Sequence, residues 1–203
     1  MLLRVGLTGG LASGKGVAAR EFQRLGCHLI EADKLGHQVL LRRENLAFDA
    51  VLAEFGETIL DATTGEIDRR RLGAIVFADP ARLAALTAIT HPAIEKLAAS
   101  RMSGLTGIVI YEAAILIETG GYRNFDRIVL AACPVEMQIE RAMARDGLSR
   151  QAVLERLKRQ LPLADKLPYA HYVIDTSGTI EQTLQQTRNI YHSLIVYGET
   201  APS

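Results

Sequence analysis

Gly9-Gly10-Leu11-Ala12-Ser13-Gly14-Lys15-Gly16 is the stretch whose reading decides the fold. The apolar run Leu2-Leu3-Arg4-Val5-Gly6-Leu7 precedes it and reads as a short buried strand, and Ala18, Phe22 and Leu25 follow it on one helical face. Strand, glycine loop and helix in that order, with Gly14-Lys15 placed after Gly9 and four further residues, form the layout of a phosphate-binding loop. Successive backbone N–H groups in such a loop curl around phosphate oxygens, the lysine reaches the outer phosphates, and the helix turns its positive end to the anion. This layout assigns nucleotide binding to Gly9, Gly10, Leu11, Ala12, Ser13, Gly14, Lys15, Gly16 and Val17. Position 16 departs from the pattern, which places there a Ser or Thr hydroxyl that holds Mg2+; neither Gly16 nor Val17 carries one.

The rest of the composition fits an ordered α/β domain with insertions. The chain has 203 residues, 48% hydrophobic and 23% charged, enough for a substantial core and unlike a disordered chain. Its 23 basic and 23 acidic residues balance, so overall charge does not point to nucleic acid as a partner. Cys27 and Cys133 form neither a disulfide framework nor a zinc pattern and read as buried apolar residues. The N-terminus lacks the layout of a signal peptide and no apolar run has bilayer length, so the expectation is a cytoplasmic protein without a membrane partner.

Cys27 to Ile30 reads as a second strand running into Glu31-Ala32-Asp33. Ligands of open α/β sheets bind beyond the carboxyl ends of the strands, which makes Asp33 a catalytic candidate; alternatively it caps a helix starting at Lys34. Residues 34–104 show helical spacing almost throughout, with segments from Leu35 to Arg43, Ala47 to Phe55 and Arg69 to Phe77 and no convincing strand. Asp79-Pro80 has the form of a cap followed by proline in the first turn, and Thr90-His91-Pro92 is expected to interrupt the next helix. So long an insertion reads as a lobe that grips a substrate, since one helix would suffice for a crossover.

The chain returns to the sheet at Gly107 to Tyr111, and Glu112 follows where a metal-orienting acid of a nucleotide-binding site would stand. Glu118 is a second acid placed to meet metal or substrate; either could equally be a solvated loop residue. After a strand from Asp126 to Ala131, Pro134 opens a helix whose apolar face is Val135, Ile139, Ala142 and Met143, leaving Arg141 and Arg145 together on another side. A further segment from Ser149 directs Val153, Leu154, Leu157 and Leu161 inward. Arg141, Arg145, Arg150, Arg156, Lys158, Arg159 and Lys166 form a basic run with acids interleaved, which is either a solvated face or, beside a phosphate loop, a mobile lid. Tyr172 to Asp175 is the last strand. Thr176-Ser177-Gly178 makes a turn, Thr179 and Gln182 have capping-box spacing, and the closing helix frays from Gly198 to Ser203.

Taken together the motifs resemble the dephospho-CoA kinase family over nearly the whole chain. The resemblance rests on Gly6 to Lys15, Glu31-Ala32-Asp33, Ile67-Asp68-Arg69, Val76-Phe77, His91-Pro92-Ala93-Ile94, Arg141 to Ser149, Arg156 to Gln160, Asp165-Lys166 and Tyr172 to Asp175. It implies a three-layer P-loop-kinase-like α/β fold with a central parallel sheet: a nucleotide-binding core (1–33, 105–140 and 168–203), a helical CoA-binding lobe (34–104) and a helical lid (141–167). The implied reaction is ATP-dependent phosphorylation of the ribose 3′-hydroxyl of 3′-dephospho-CoA, with Mg2+ as cofactor. By position, Asp33 takes the hydroxyl proton, Lys15, Arg141 and Arg145 act on the transferring phosphoryl group, and the turn from Asp175 to Gly178 holds the adenine of ATP. Arg69, His91 and Glu118, with Asp33, are the implied substrate contacts. Glu31, Asp33 and Glu112 are the metal candidates, with no ligand assigned. Departures from the family pattern are Gly16 and Val17 for Ser and Thr, Glu31 for Asp, Ala114 for Pro and Thr176 for Asn. Gly16 leaves open a weakened member that binds nucleotide or CoA without turnover, and acceptor choice leaves open another small-molecule kinase of the same architecture.

Overall fold

A computed structural model describes residues 1–40 and 43–200 and divides into two compact units, Met1–Ile30 with Leu105–Ser203, and Glu31–Gly104. In the first unit the apolar runs become strands β1 (Leu2–Gly9), β2 (His28–Glu31), β3 (Gly107–Glu112), β4 (Arg127–Ala132) and β5 (Tyr172–Asp175), in the sheet order β2-β3-β1-β4-β5. β1 pairs in parallel with both β3 and β4, and β4 with β5. Unbroken Val, Ile and Leu runs suit this arrangement, because a parallel strand is covered on both faces. β1 lies third of five and carries straight into the glycine loop, so the loop emerges from the middle of the sheet's carboxyl edge. Helices α1 (Lys15–Arg24) and α9 (Ile180–Thr200) cover one face, burying Ala18, Phe22 and Leu194 against Val5, Ile110 and Ile174.

Glu21 on α1 fastens the two helices together. Its carboxylate accepts from Arg24 Nε at 2.7 Å and Nη2 at 2.8 Å, and from Arg188 Nε on α9 at 2.7 Å. The Arg24 contact, opposed by burial and helped by Arg188, brings the Glu21 carboxyl from 4.5 down to about 2. A depressed folded pKa gives stability that is whole above pH 4.5 and disappears as pH falls through about 2. Glu21→Gln is therefore expected to cost about 1–2 kcal/mol near neutrality and to flatten the acid limb of the unfolding curve. An equal loss at neutral pH and at the foot of that limb would contradict this assignment.

The second unit comprises α2 (Ala32–Leu40), α3 (Phe48–Phe55), α4 (Arg69–Ala78) and α5 (Pro80–Met102) around a core of Val39, Phe48, Val51, Phe55, Ile59, Leu72, Val76 and Ala93. Asp68 caps α4 by accepting from Arg70 and Arg71 N–H, and Asp79 caps α5 ahead of Pro80. Leu60 and Ile67 add one antiparallel bridge in a region read from the sequence as helical almost throughout, with no convincing strand.

Several expectations need correction. α5 runs unbroken through Pro92. Proline removes one N–H there, but burial of Thr90, Ala93 and Ala98 on either side of it holds both halves of the helix in place. α2 begins at Ala32, which puts Asp33 in the first turn instead of at the cap. The expected extension of that helix to Arg43 crosses residues 41–42, outside the described residues, as are 201–203 of the tail. Met143 and Val135 of α6 (Val135–Asp146) and Leu161 are exposed, because Gln138 joins Ile139 and Ala142 on the buried face and the helix carrying Val153, α7 (Arg150–Leu157), ends before Leu161. The Thr179–Gln182 box forms as expected, with reciprocal bonds of 2.8 and 3.2 Å.

Candidate active site

At Gly9, Gly10 and Gly14 neighbouring atoms stand close enough to the glycine loop to crowd a Cβ. A Cβ on Gly9 would lie 2.6 Å from the Ala131 carbonyl oxygen, and one on Gly10 would run into Gln138 Oε1 on α6. Gly14 has φ +83°, the left-handed region that glycine enters without a steric penalty, and Thr176 packs against it from the far end of β5. Thr176 Oγ1 donates to the Ser13 carbonyl at 2.6 Å and lies 3.1 Å from the Ala132 carbonyl. A single hydroxyl thus ties the loop to the β4 and β5 strand ends. Gly16, in the first turn of α1, has only Arg20 Nη1 nearby, at 3.6 Å from a Cβ, so a side chain fits there.

These residues open on a cleft of about 560 Å³ lined by Ala12, Ser13, Gly14, Lys15, Gly16 and Val17 from the loop and α1, with Arg20, Glu112 and, from α6, Arg141, Ala144 and Arg145. Lys15 Nζ stands 3.9 Å from Glu112 Oε1 at the end of β3. Arg141 donates through Nη2 to the Thr176 carbonyl at 2.8 Å, and Arg145 is held by Asp146 at 2.7 Å. Three cationic side chains from separate turns therefore converge beside the start of a helix whose first N–H groups lack helical partners. A cleft of this charge accepts a polyanion.

A second hollow of about 600 Å³ lies along the turn after β5 and is lined by Asp175, Ser177, Gly178, Gln182, Gln185 and Gln186. Gln186 grips Asp175 with both amide atoms, accepting from its N–H at 2.9 Å and donating to its carbonyl at 2.8 Å. Asp175 accepts from Ser177, which holds its carboxyl below the ordinary range.

The remaining candidates have other surroundings. Asp33 is exposed on α2; one turn on, His37 feels burial first, then the charges of Arg69 and Asp33, with a net lowering of its pKa. The second unit thus gathers Asp33 and Arg69 around a histidine that the sequence reading passed over. His91 is half-buried within α5. Glu31 pairs with Lys34. Glu118 does not line the cleft: Oε1 meets buried Lys166 Nζ at 2.7 Å and the Leu161 N–H at 3.0 Å. Most of the basic run is matched locally as well, Arg150 by Glu136, Lys158 by Glu155, and Arg145 and Arg156 by Asp146.

Among the described residues no group of three or more His, Cys, Asp or Glu side chains is placed to hold a metal ion. The cleft offers one carboxylate, Glu112, beside the lysine of the loop. That donor set fits a hard divalent cation that keeps most of its water and binds largely through phosphate oxygens, as Mg2+ does, with Glu112 as the protein group that would orient it.

Comparison with known proteins decides the family. A sequence model of the family described as dephospho-CoA kinase matches residues 3–182. The chain belongs to the dephospho-CoA kinase family. It is similar to the dephospho-CoA kinase of Aquifex aeolicus, 39% identical over 193 residues that cover 94% of this chain and 97% of the relative. The relative from Geobacter sulfurreducens is 40% identical over 191 residues, covering 92% and 96%. Among solved structures, the dephospho-CoA kinase of Campylobacter jejuni superposes with a TM-score of 0.72 at 27% identity, covering 98% of this chain and 100% of that one. Membership of the dephospho-CoA kinase family also fixes the fold class as that of the P-loop kinases, with a central parallel sheet between helices. Gln138 and Thr176, which shape the loop in this family member, bear no motif of their own; their signal is the absence of room at Gly10 and Gly14.

Proposed function

We propose that this chain transfers the γ-phosphoryl group of ATP to the ribose 3′-hydroxyl of 3′-dephospho-CoA, releasing ADP and CoA. The observation that supports the reading best is the cleft in which Lys15, Arg141 and Arg145 converge on the glycine loop, in a chain matched by the dephospho-CoA kinase family over residues 3–182. The loop N–H groups and Lys15 hold the β- and γ-phosphates, and Arg141 and Arg145 neutralise charge that builds on the oxygens of the transferring group. The 3′-oxygen forms its bond to phosphorus as the bond to the ADP oxygen breaks in line, and the hydroxyl proton passes to the Asp33 carboxylate. Residues 34–104, with Arg69 and His91, take the CoA portion; 141–167 act as the lid that excludes water; the hollow at Asp175 and Gly178 takes the adenine. Mg2+ travels with ATP and spreads the phosphate charge when bound. The cytoplasm is the compartment this reading implies.

An acceptor panel tests the assignment: ATP with dephospho-CoA, AMP or shikimate in turn, product by product. Dephospho-CoA is expected to be preferred by roughly 10⁴-fold, the order of discrimination a site built to hydrogen-bond its substrate achieves. Preference for AMP or shikimate would replace the reading with another kinase of this architecture. Position 16 supplies a second test. Gly16→Ser adds a hydroxyl where a Cβ meets nothing closer than 3.6 Å and also removes a helical glycine, worth roughly 0.5 kcal/mol. The variant is expected to reach half-maximal rate at about three- to ten-fold lower Mg2+, the yield of one further ligand at roughly 1 kcal/mol. An unchanged magnesium requirement would show that position 16 does not limit metal binding.

A further inference from the structure

The tip of the glycine loop is held from outside the loop. Leu11 N–H donates to Gln160 Oε1 at 2.9 Å, across 149 residues of chain. Leu11 and Ala12 side chains pack on a small apolar cluster of Ile139 and Ala142 from α6, Val153 from α7, and neighbouring Leu148, Leu154 and Leu157. Ala12 has φ +53°, left-handed backbone that costs a residue bearing Cβ about 1–2 kcal/mol and persists only where its surroundings impose it. The next residue along from Gln160 is pinned as well, because the Leu161 N–H donates to Glu118, itself held by the buried ammonium of Lys166. Lys166 also donates to the Ala114 carbonyl in the turn just beyond β3, so Gln160 hangs from a post anchored in the sheet unit.

We propose that Gln160 is a positioning residue that sets the shape of the phosphate-loop tip, so that nucleotide affinity depends on a side chain from the bend that follows α7. This rests on the reading of the loop as the nucleotide site. Gln160 touches a backbone N–H of the loop, and the apolar cluster seats Leu11 and Ala12 on the same segment. Displacement of that segment therefore loosens the loop tip, and a loop held in its strained form receives the phosphates without further ordering.

Gln160→Met keeps the length of the stem and removes the acceptor; Gln160→Glu keeps an acceptor at the same reach. ADP titration by calorimetry, the two KM values and protection of the Leu11 amide against hydrogen exchange make up the experiment. In the Met variant ADP affinity is expected to fall and KM for ATP to rise about five-fold, the yield of one hydrogen bond, with KM for dephospho-CoA unchanged and Leu11 exchanging faster. The Glu variant restores Leu11 protection. A Met variant whose ADP affinity and ATP KM match the original protein overturns the proposal, as does an equal change in both KM values with a lowered Tm, the mark of a general brace. ADP titration needs no acceptor, so a chain that fails to make CoA leaves this test intact, and a chain that makes CoA with an indifferent Gln160 removes only the proposal.

Discussion

Asp33→Asn is expected to lower kcat for CoA formation by about three orders of magnitude, the middle of the range for loss of a general base, while ADP binds as before. The substitution changes one oxygen for an amide nitrogen of nearly the same size on an exposed side chain in the first turn of α2. Its cost to stability is therefore small, at most the ~0.3–1 kcal/mol that a carboxylate gains near a helix N-terminus. His37, one turn on, feels the charges of both Asp33 and Arg69. Steady-state kinetics with both substrates saturating, beside calorimetry with ADP, separates chemistry from binding. A variant that retains a tenth or more of the original kcat removes Asp33 from the proton-accepting role, and a lost ADP affinity would place it in nucleotide binding instead.

Lys166→Met is expected to destabilise the protein by about 3–5 kcal/mol, the cost of leaving one member of a buried ion pair without the other. Lys166 is 1% exposed, and its ammonium has Glu118 Oε1 at 2.7 Å and the Ala114 carbonyl at 3.1 Å. Glu118 Oε2 is buried with no hydrogen-bond partner among the described residues, so the carboxylate depends heavily on that one cation. Glu118→Leu in the same chain removes the stranded charge, and the double variant is expected to recover most of the loss. Denaturant unfolding of the single and double variants measures both. A single-variant cost below about 1 kcal/mol would be that of a solvated surface pair and would remove the anchor from which Gln160 hangs.

The parts of this molecule that were legible in its sequence are those with short-range causes. A glycine loop between a strand and a helix declares itself because its spacing is written within eight residues, and the Asp79-Pro80 cap and Thr179–Gln182 box are local in the same way. Buried parallel strands declare themselves by unbroken apolar runs. Pro92 misled because its preference is local while the helix around it is held by the packing of its neighbours, with Thr90, Ala93 and Ala98 buried. Gln160 and Thr176 were illegible as loop contacts, since their partners lie 149 and 163 residues away and no periodicity encodes which polar side chain will meet which backbone group. Glu118 had the position of a ligand-facing acid; its buried partner Lys166 follows 48 residues later, inside a basic run that reads as solvent-facing.

The most direct test of the central claim is CoA formation from ATP and dephospho-CoA across a magnesium titration. Saturable production of CoA and ADP in equal amounts, with a magnesium requirement that Gly16→Ser lowers, is the predicted result. No CoA at any magnesium concentration, from protein that still binds ADP and dephospho-CoA, would contradict it and leave a binding protein built on a kinase fold.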